Sequence, residues 1–392
     1  MFIREWFKED GMRKTVSLYR TVLVALSILG CGFATTVHAM EFAIVGPRAA
    51  GMGGAGVAVT TDSLATYWNP AGLAMSQTVD LRVQGSAQVI DRLGVISTVR
   101  DINDLDKNNA ANIPQAQALA NRLNQPGASV SGIGAGGVYF KGYWGNSAFG
   151  FNVSDVATSG GFLKTPISVT PSGSSFQVNG QFAVRGLEAR QAAFSYAYAF
   201  ADRTFAIGAT VKAIQGAAYT GLLDVNKANE SDNIKDSFGR AKLSTAVSVD
   251  VGAVFRPTSW LRMGVVGKDL TAPTFDAPDG SRFQLGPQAR AGIAVNPDSS
   301  LTLTFDGDIT SNRTLVPGLK SRVLSAGAEQ TILGDFLALR IGVLKNVEDA
   351  KSTFTPTAGF GIRFFALRVD IGGGYDFRER QALASGSISM TF

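Results

Sequence analysis

Gln381-Ala382-Leu383-Ala384-Ser385-Gly386-Ser387-Ile388-Ser389-Met390-Thr391-Phe392 closes the chain, and its reading decides the fold. Ala384, Gly386, Ile388, Met390 and Phe392 alternate with Leu383, Ser385, Ser387, Ser389 and Thr391. Successive side chains of a strand point to opposite faces, so one face here is apolar and the other rich in hydroxyls. A strand standing between lipid and a wet lumen has this pattern. The preceding segment repeats it: Leu367, Val369, Ile371, Tyr375 and Phe377 alternate with Arg368, Asp370, Gly372, Gly374 and Asp376. Phe194, Tyr196, Tyr198 and Phe200 do the same against Ser195, Ala197 and Ala199, as do Leu301, Leu303 and Phe305 against Thr302, Thr304 and Asp306. Soluble sandwiches also alternate, so strand number and loop pattern must decide.

Fourteen strands are predicted near 79–89, 129–141, 147–157, 188–200, 204–214, 243–255, 260–269, 287–295, 301–310, 321–330, 336–345, 355–365, 366–377 and 382–392. The connections 90–128, 158–187, 215–242 and 270–286 are long and polar, whereas Ala201-Asp202-Arg203 and Arg256-Pro257-Thr258-Ser259 are tight. An even strand count, with short turns on one side and long loops on the other, is the pattern of an outer-membrane barrel. It predicts an all-β fold, a transmembrane antiparallel β-barrel with both termini periplasmic. No segment after residue 40 has 18 consecutive apolar residues. A chain that enters a bilayer without helices must close into a barrel, because lipid cannot satisfy open backbone groups. The terminal Phe392 on an alternating strand resembles the signature read by the barrel-assembly machinery, an expected partner beside outer-membrane lipid.

The first forty residues read as an export signal. Arg13, Lys14 and Arg20 precede an apolar run from Val22 to Leu29, and Val37-His38-Ala39 offers small residues for cleavage after Ala39. The run is shorter than the roughly 20 residues of a membrane-spanning helix. Ile28-Leu29-Gly30-Cys31 forms a rival lipoprotein signal. The expected division is therefore 1–39 signal peptide, 40–78 hatch and 79–392 barrel. Cleavage after Ala39 removes Cys31 and His38, the only cysteine and histidine. Thiol and imidazole catalysis are then excluded, zinc sites with them, and no cofactor is expected. Lys plus Arg falls from 36 to 31 and Asp plus Glu from 31 to 28, too even a balance to suggest nucleic acid as a partner.

Arg48-Ala49-Ala50-Gly51-Met52-Gly53-Gly54-Ala55-Gly56-Val57-Ala58-Val59 is followed by Tyr67-Trp68-Asn69-Pro70-Ala71-Gly72-Leu73-Ala74. The paired motifs resemble the start of the FadL-type (OMPP1) transporters, and are similar to the TraF-like conjugal-transfer and PorV-like outer-membrane proteins. The resemblance covers about thirty residues. It implies that Gly51, Gly53, Gly54, Gly56 and the turn Asn69, Pro70 and Ala71 form a hatch inside a fourteen-stranded barrel. The helix-like stretch Ile113 to Leu123 inclines the reading toward the TraF-like branch.

Gly51 to Gly56 also satisfies G-x-G-x-x-G, but no strand runs directly into the first glycine and no βαβ repeat follows, so a dinucleotide site is set aside. Close backbone packing inside a narrow lumen explains the glycines better. Strand parity turns Asp80, Arg82, Asp250, Arg262, Asp306, Asp308, Arg340, Arg363, Arg368 and Asp370 inward. Buried charges need partners, so a salt-bridge network pinning hatch to wall is expected ahead of a conducting role. Two functions remain open. One is passive uptake of a hydrophobic small molecule; the other is a non-transporting component of a conjugation or secretion system.

Overall fold

The computed structural model describes residues 40–227 and 240–392. The expected signal segment, with both candidate processing sites, lies outside the described residues. Fourteen strands close into one barrel: β1 (Asp80–Arg92), β2 (Ser129–Trp144), β3 (Ser147–Ser172), β4 (Ser175–Phe200), β5 (Phe205–Asp224), β6 (Lys242–Thr258), β7 (Leu261–Lys268), β8 (Gln288–Val295), β9 (Leu301–Asp308), β10 (Val323–Ile332), β11 (Leu337–Asn346), β12 (Thr355–Phe364), β13 (Leu367–Asp376) and β14 (Gln381–Thr391). Every strand pairs antiparallel with its neighbours in the chain. The ring closes where β1 meets β14, with Asp80 opposite Thr391 and Ile90 opposite Gln381. Closure leaves no edge to be satisfied by water, the condition for standing in lipid.

The wall is apolar outside and polar inside. Val83, Phe194, Val211, Ile341 and Ile388 are each more than half exposed, whereas their strand neighbours Arg82, Ser195, Thr210, Arg340 and Ser387 are buried. Exposed Trp144, Trp260, Phe336, Phe365 and Phe392 ring the end with the short turns, and Phe354 and Phe377 mark the other. These are the aromatic girdles of a membrane-spanning barrel.

Six connections at one end are short: 145–146, 201–204, 259–260, 296–300, 333–336 and 365–366. The opposite end carries the long ones. Four α-helices occur among the described residues: α1 (Pro47–Gly51), α2 (Ala65–Trp68), α3 (Val95–Asp104) and α4 (Ile113–Leu123). The connection 93–128 holds α3 and α4. Buried Val95, Thr98, Val99 and Ile102 form a single stripe on α3, and Ala116, Ala120 and Leu123 do so on α4. Both stripes pack on Ile167, Phe176, Val178 and Phe182.

Those four residues belong to the one segment where the expected loops fail. Residues 158–187 are not a loop, because β3 and β4 run on to a two-residue turn between Ser172 and Ser175. Each strand has 26 residues, whereas about 9–11 suffice to cross a bilayer. The hairpin therefore projects well beyond the membrane and is held up by α3 and α4. The connection 270–286 likewise contains a small hairpin, Thr274–Asp276 with Arg282–Gln284.

Residues 40–78 pass down the inside of the ring. Met40 packs with Phe275, Phe283 and Leu315 from the long connections. Further on, α1 lies against β12, β13 and β14, and a 3₁₀ turn, Pro70–Met75, lies against β3 to β6. At the short-turn end Val79 and Phe392 exchange backbone hydrogen bonds of 2.9 Å. Met40 and Phe392 thus sit at opposite ends of the barrel, where a shared side was expected.

Candidate functional site

The lumen is the site, and its geometry begins with the backbone of the N-terminal segment. Gly53 has φ +69°, which an L side chain rarely adopts, and a Cβ there would run into the Val343 carbonyl of β11. Its amide donates to Thr357 Oγ1 at 2.9 Å, and the same hydroxyl donates to Gly51 O at 3.1 Å. A Cβ on Gly51 would lie 3.1 Å from Gly359 Cα, one on Gly54 would press on Ile44, and one on Gly56 would enter the Trp68 ring. The segment is seated backbone to backbone against the wall.

Asn69 joins the segment to the opposite wall. Its Nδ2 donates to Val57 O within the segment (3.2 Å), to Ala253 O of β6 (3.1 Å) and to Val265 O of β7 (3.4 Å). Its Oδ1 accepts from Ala71 N at 3.2 Å, while Pro70 starts the 3₁₀ turn. Gly252 of β6 leaves the room, since a Cβ there would collide with Asn69 Oδ1.

Above this turn, Phe42, Tyr67 and Trp68 form an aromatic cluster. Phe42 stacks on Trp68 at 5.3 Å and meets Tyr67 edge-on at 5.9 Å. Two wall cations press on it: Lys268 Nζ lies 3.2 Å from the Tyr67 ring centre and 4.4 Å from that of Phe42, and the Arg290 guanidinium lies 5.1 Å from that of Phe42. Desolvated cations on aromatic faces contribute about 2 kcal/mol.

The inward charges fall into three groups. In the first, Glu329 bridges Arg48 and Arg340 at 2.6 Å each, and Arg340 reaches Asp370 at 2.8 Å. Asp370 also takes Arg368 at 2.9 Å and lies 3.9 Å from Arg82, which pairs with Asp62 at 2.9 Å and Asp80 at 3.5 Å. Asp80 in turn accepts the Ser63 amide at 3.0 Å and the Ser63 hydroxyl. In the second group Lys212 holds Asp250 at 2.7 Å and Asp269 at 2.6 Å. In the third, Arg290 faces Asp308 at 3.4 Å and Asp306 at 3.8 Å, and donates to Gly54 O at 3.1 Å. Asp306 accepts the amides of Gly56 and Val57 at 2.7 and 2.8 Å. Losing one partner of such a buried pair costs about 3–5 kcal/mol.

Arg262 and Arg363 stand apart from these groups. Arg262 donates to Ala58 O at 3.3 Å. Arg363 is half-buried opposite Arg368, and its Nε makes no hydrogen bond. Sequence reasoning missed Arg48 as an ion-pair partner, together with Lys212, Lys268, Arg290 and Glu329. It also missed Lys141, which donates to Thr61 O at 2.6 Å. For Lys212 the signal was present, since it alternates with Ile207, Ala209 and Val211.

Two cavities matter. An inner one of about 60 Å³, between the segment and β2 to β5, is lined by Met40, Ala43, Tyr67, Ile133, Lys212 and Lys268 among others. A mouth cavity of about 490 Å³ opens among the long connections. Met40 is a wall of both. The inner space is far below the roughly 300–1,000 Å³ of a ligand pocket, and the mouth cavity falls within that range.

Residues 66–308 match the model of the family described as "F plasmid transfer operon, TraF, protein". The chain belongs to this family. No curated protein matches its sequence significantly. Its fold is that of the FadL-type barrels. It superposes on the toluene transporter TbuX of Ralstonia pickettii with TM-score 0.53 and 16% identity, covering 88% of this chain and 97% of that one. The toluene transporter TodX of Pseudomonas putida gives 0.51 and 12%, covering 90% and 98%. A Pseudomonas aeruginosa FadL homologue gives 0.52 and 13%, covering 90% and 99%.

Proposed function

We propose that this TraF-family barrel resides in the outer membrane of a Gram-negative cell and takes up small hydrophobic molecules passively, with residues 40–78 as its hatch. The carrying observation is Met40, which belongs to the segment and not to the wall, yet separates the mouth cavity from the inner one. Opening a path there needs a shift of the segment's first residues. The ion pairs and the Asn69 anchor would hold the rest in place. The structurally similar TbuX and TodX are described as toluene transporters, which supports the substrate class.

The test uses N-phenyl-1-naphthylamine, a neutral dye that fluoresces on crossing the outer membrane. Cells carrying the protein should take it up faster than control cells, and deletion of residues 40–44 should speed uptake further. Equal uptake in all three, with equal amounts of folded barrel, would remove the transport reading.

One observation favours a second reading. The family description refers to a plasmid transfer operon, and the lumen is closed by paired charges. A closed barrel serving as an anchor for conjugation partners would show no uptake, and its loss would lower plasmid transfer between cells.

A further inference from the structure

The mouth cavity has a chemistry that uptake of neutral hydrocarbons does not call for. Its floor is apolar and buried: Met40, Phe283, Leu315 and Val316. Its rim carries Arg185, Arg282, Arg313 and Lys320, and no carboxylate is among the described residues that line it. Arg313 and Lys320 are direct partners in a two-stranded ladder of only two residue pairs, Asn312 with Ser321 and Arg313 with Lys320. Like charges placed opposite each other weaken such a ladder. An anion between them would turn that repulsion into attraction.

Carboxylates do lie nearby. Asp276 is 3.2 Å from Arg282 and 3.3 Å from Lys242. Its carboxyl is held below the usual range, first by the Lys242 hydrogen bond, and that of Asp279 by the Ser281 hydroxyl. Both stay charged at neutral pH. Against these two stand five cations, the four of the rim and Lys242, so the mouth keeps an excess of positive charge. Arg185 is further fixed by the Phe162 ring, 5.0 Å from its guanidinium.

We propose that the mouth cavity captures amphipathic anions, small molecules with an apolar body and a carboxylate, sulfonate or phosphate head. The body lies on the floor against Met40, and the head meets Arg313 and Lys320. The cavity faces the lumen side of Met40 and not the lipid-facing wall, so the ligand is a solute and not a membrane lipid. This deepens the uptake reading and rests on it for the ligand's onward path.

Two dyes with one body test it. 1-Anilinonaphthalene-8-sulfonate is N-phenyl-1-naphthylamine with a sulfonate added. With full-length protein in a neutral maltoside detergent, the sulfonate dye should bind about tenfold more tightly than the neutral one, as a charge-assisted contact requires. The double variant Arg313→Gln/Lys320→Gln alters exposed side chains only and should abolish that preference without weakening the neutral dye. Val316→Trp, which fills the floor, should weaken both dyes. Equal affinities in the unmodified protein, or a preference that survives the double variant, would overturn the proposal. So would Val316→Trp leaving sulfonate binding intact. If cells take up no dye while the purified protein keeps the sulfonate preference, the transport reading falls and the capture site stands.

Discussion

Asn69 shows how much one buried side chain can hold. It ties the segment to carbonyls on β6 and β7 while capping its own turn. Asn69→Ala leaves those carbonyls with one partner fewer, at a cost of about 1–3 kcal/mol. The barrel ladder is untouched, so folded protein should still form, with higher small-solute conductance across planar bilayers. Gly53→Val should act in the same direction, because its left-handed backbone and the Val343 carbonyl leave no space for a Cβ. The strain is of order 1–3 kcal/mol. Unchanged conductance in both variants would mean that the charge groups alone close the lumen. Parity read from Ile341 or Val369 was enough to turn Arg340 and Asp370 inward. It could not do so for Arg290, whose neighbours Ala289 and Ala291 are too small to show which face meets lipid. Nor could it find the pairing of Lys212 with Asp269, since that aspartate follows β7 and is distant in sequence.

At the scale of elements, the apolar alternation of β14 located the strand within a residue of its observed start and end. Phe392 extends the pairing by bonding to Val79 while its ring stays exposed at the short-turn girdle. Phe392→Ala should slow assembly and lower the amount of heat-modifiable barrel on gels. Normal assembly would remove the end-signal argument. The β3–β4 hairpin was the least legible element. Its upper part is rich in Ser, Thr and Gly, and its apolar residues face α3 and α4 instead of lipid, so the lipid-facing rhythm stops at the membrane edge. Helix α3 carried a readable stripe at Val95, Val99 and Ile102 that the polar residues around it obscured. The projecting hairpin also fixes a topological prediction. A cysteine at Ser172 should react with an impermeant reagent on intact cells, and one at Asp202 should not. The reverse labelling would invert the assigned orientation.

For the whole molecule, segment and wall are electrostatically one body. Removing residues 40–78 would strip Asp306 and Asp80 of donated amides and leave Glu329 without Arg48. The wall retains its complete ladder, so the shortened barrel should assemble, melt at a lower temperature and conduct freely. A shortened barrel that stays silent in bilayers would show that other residues occlude the lumen. The path of the segment also dictates an order of events. It begins among the long connections, leaves at the short-turn end and continues at once into β1, so the finished protein is a thread inside a ring made of its own chain. Strand β14, the last to be synthesised, forms the seam with β1. The thread is laid first and the ring wrapped around it, because a closed ring would have to readmit every amide and arginine through its mouth. Strand β14 is therefore the clasp, and the time at which it fastens decides whether a barrel is born plugged or empty.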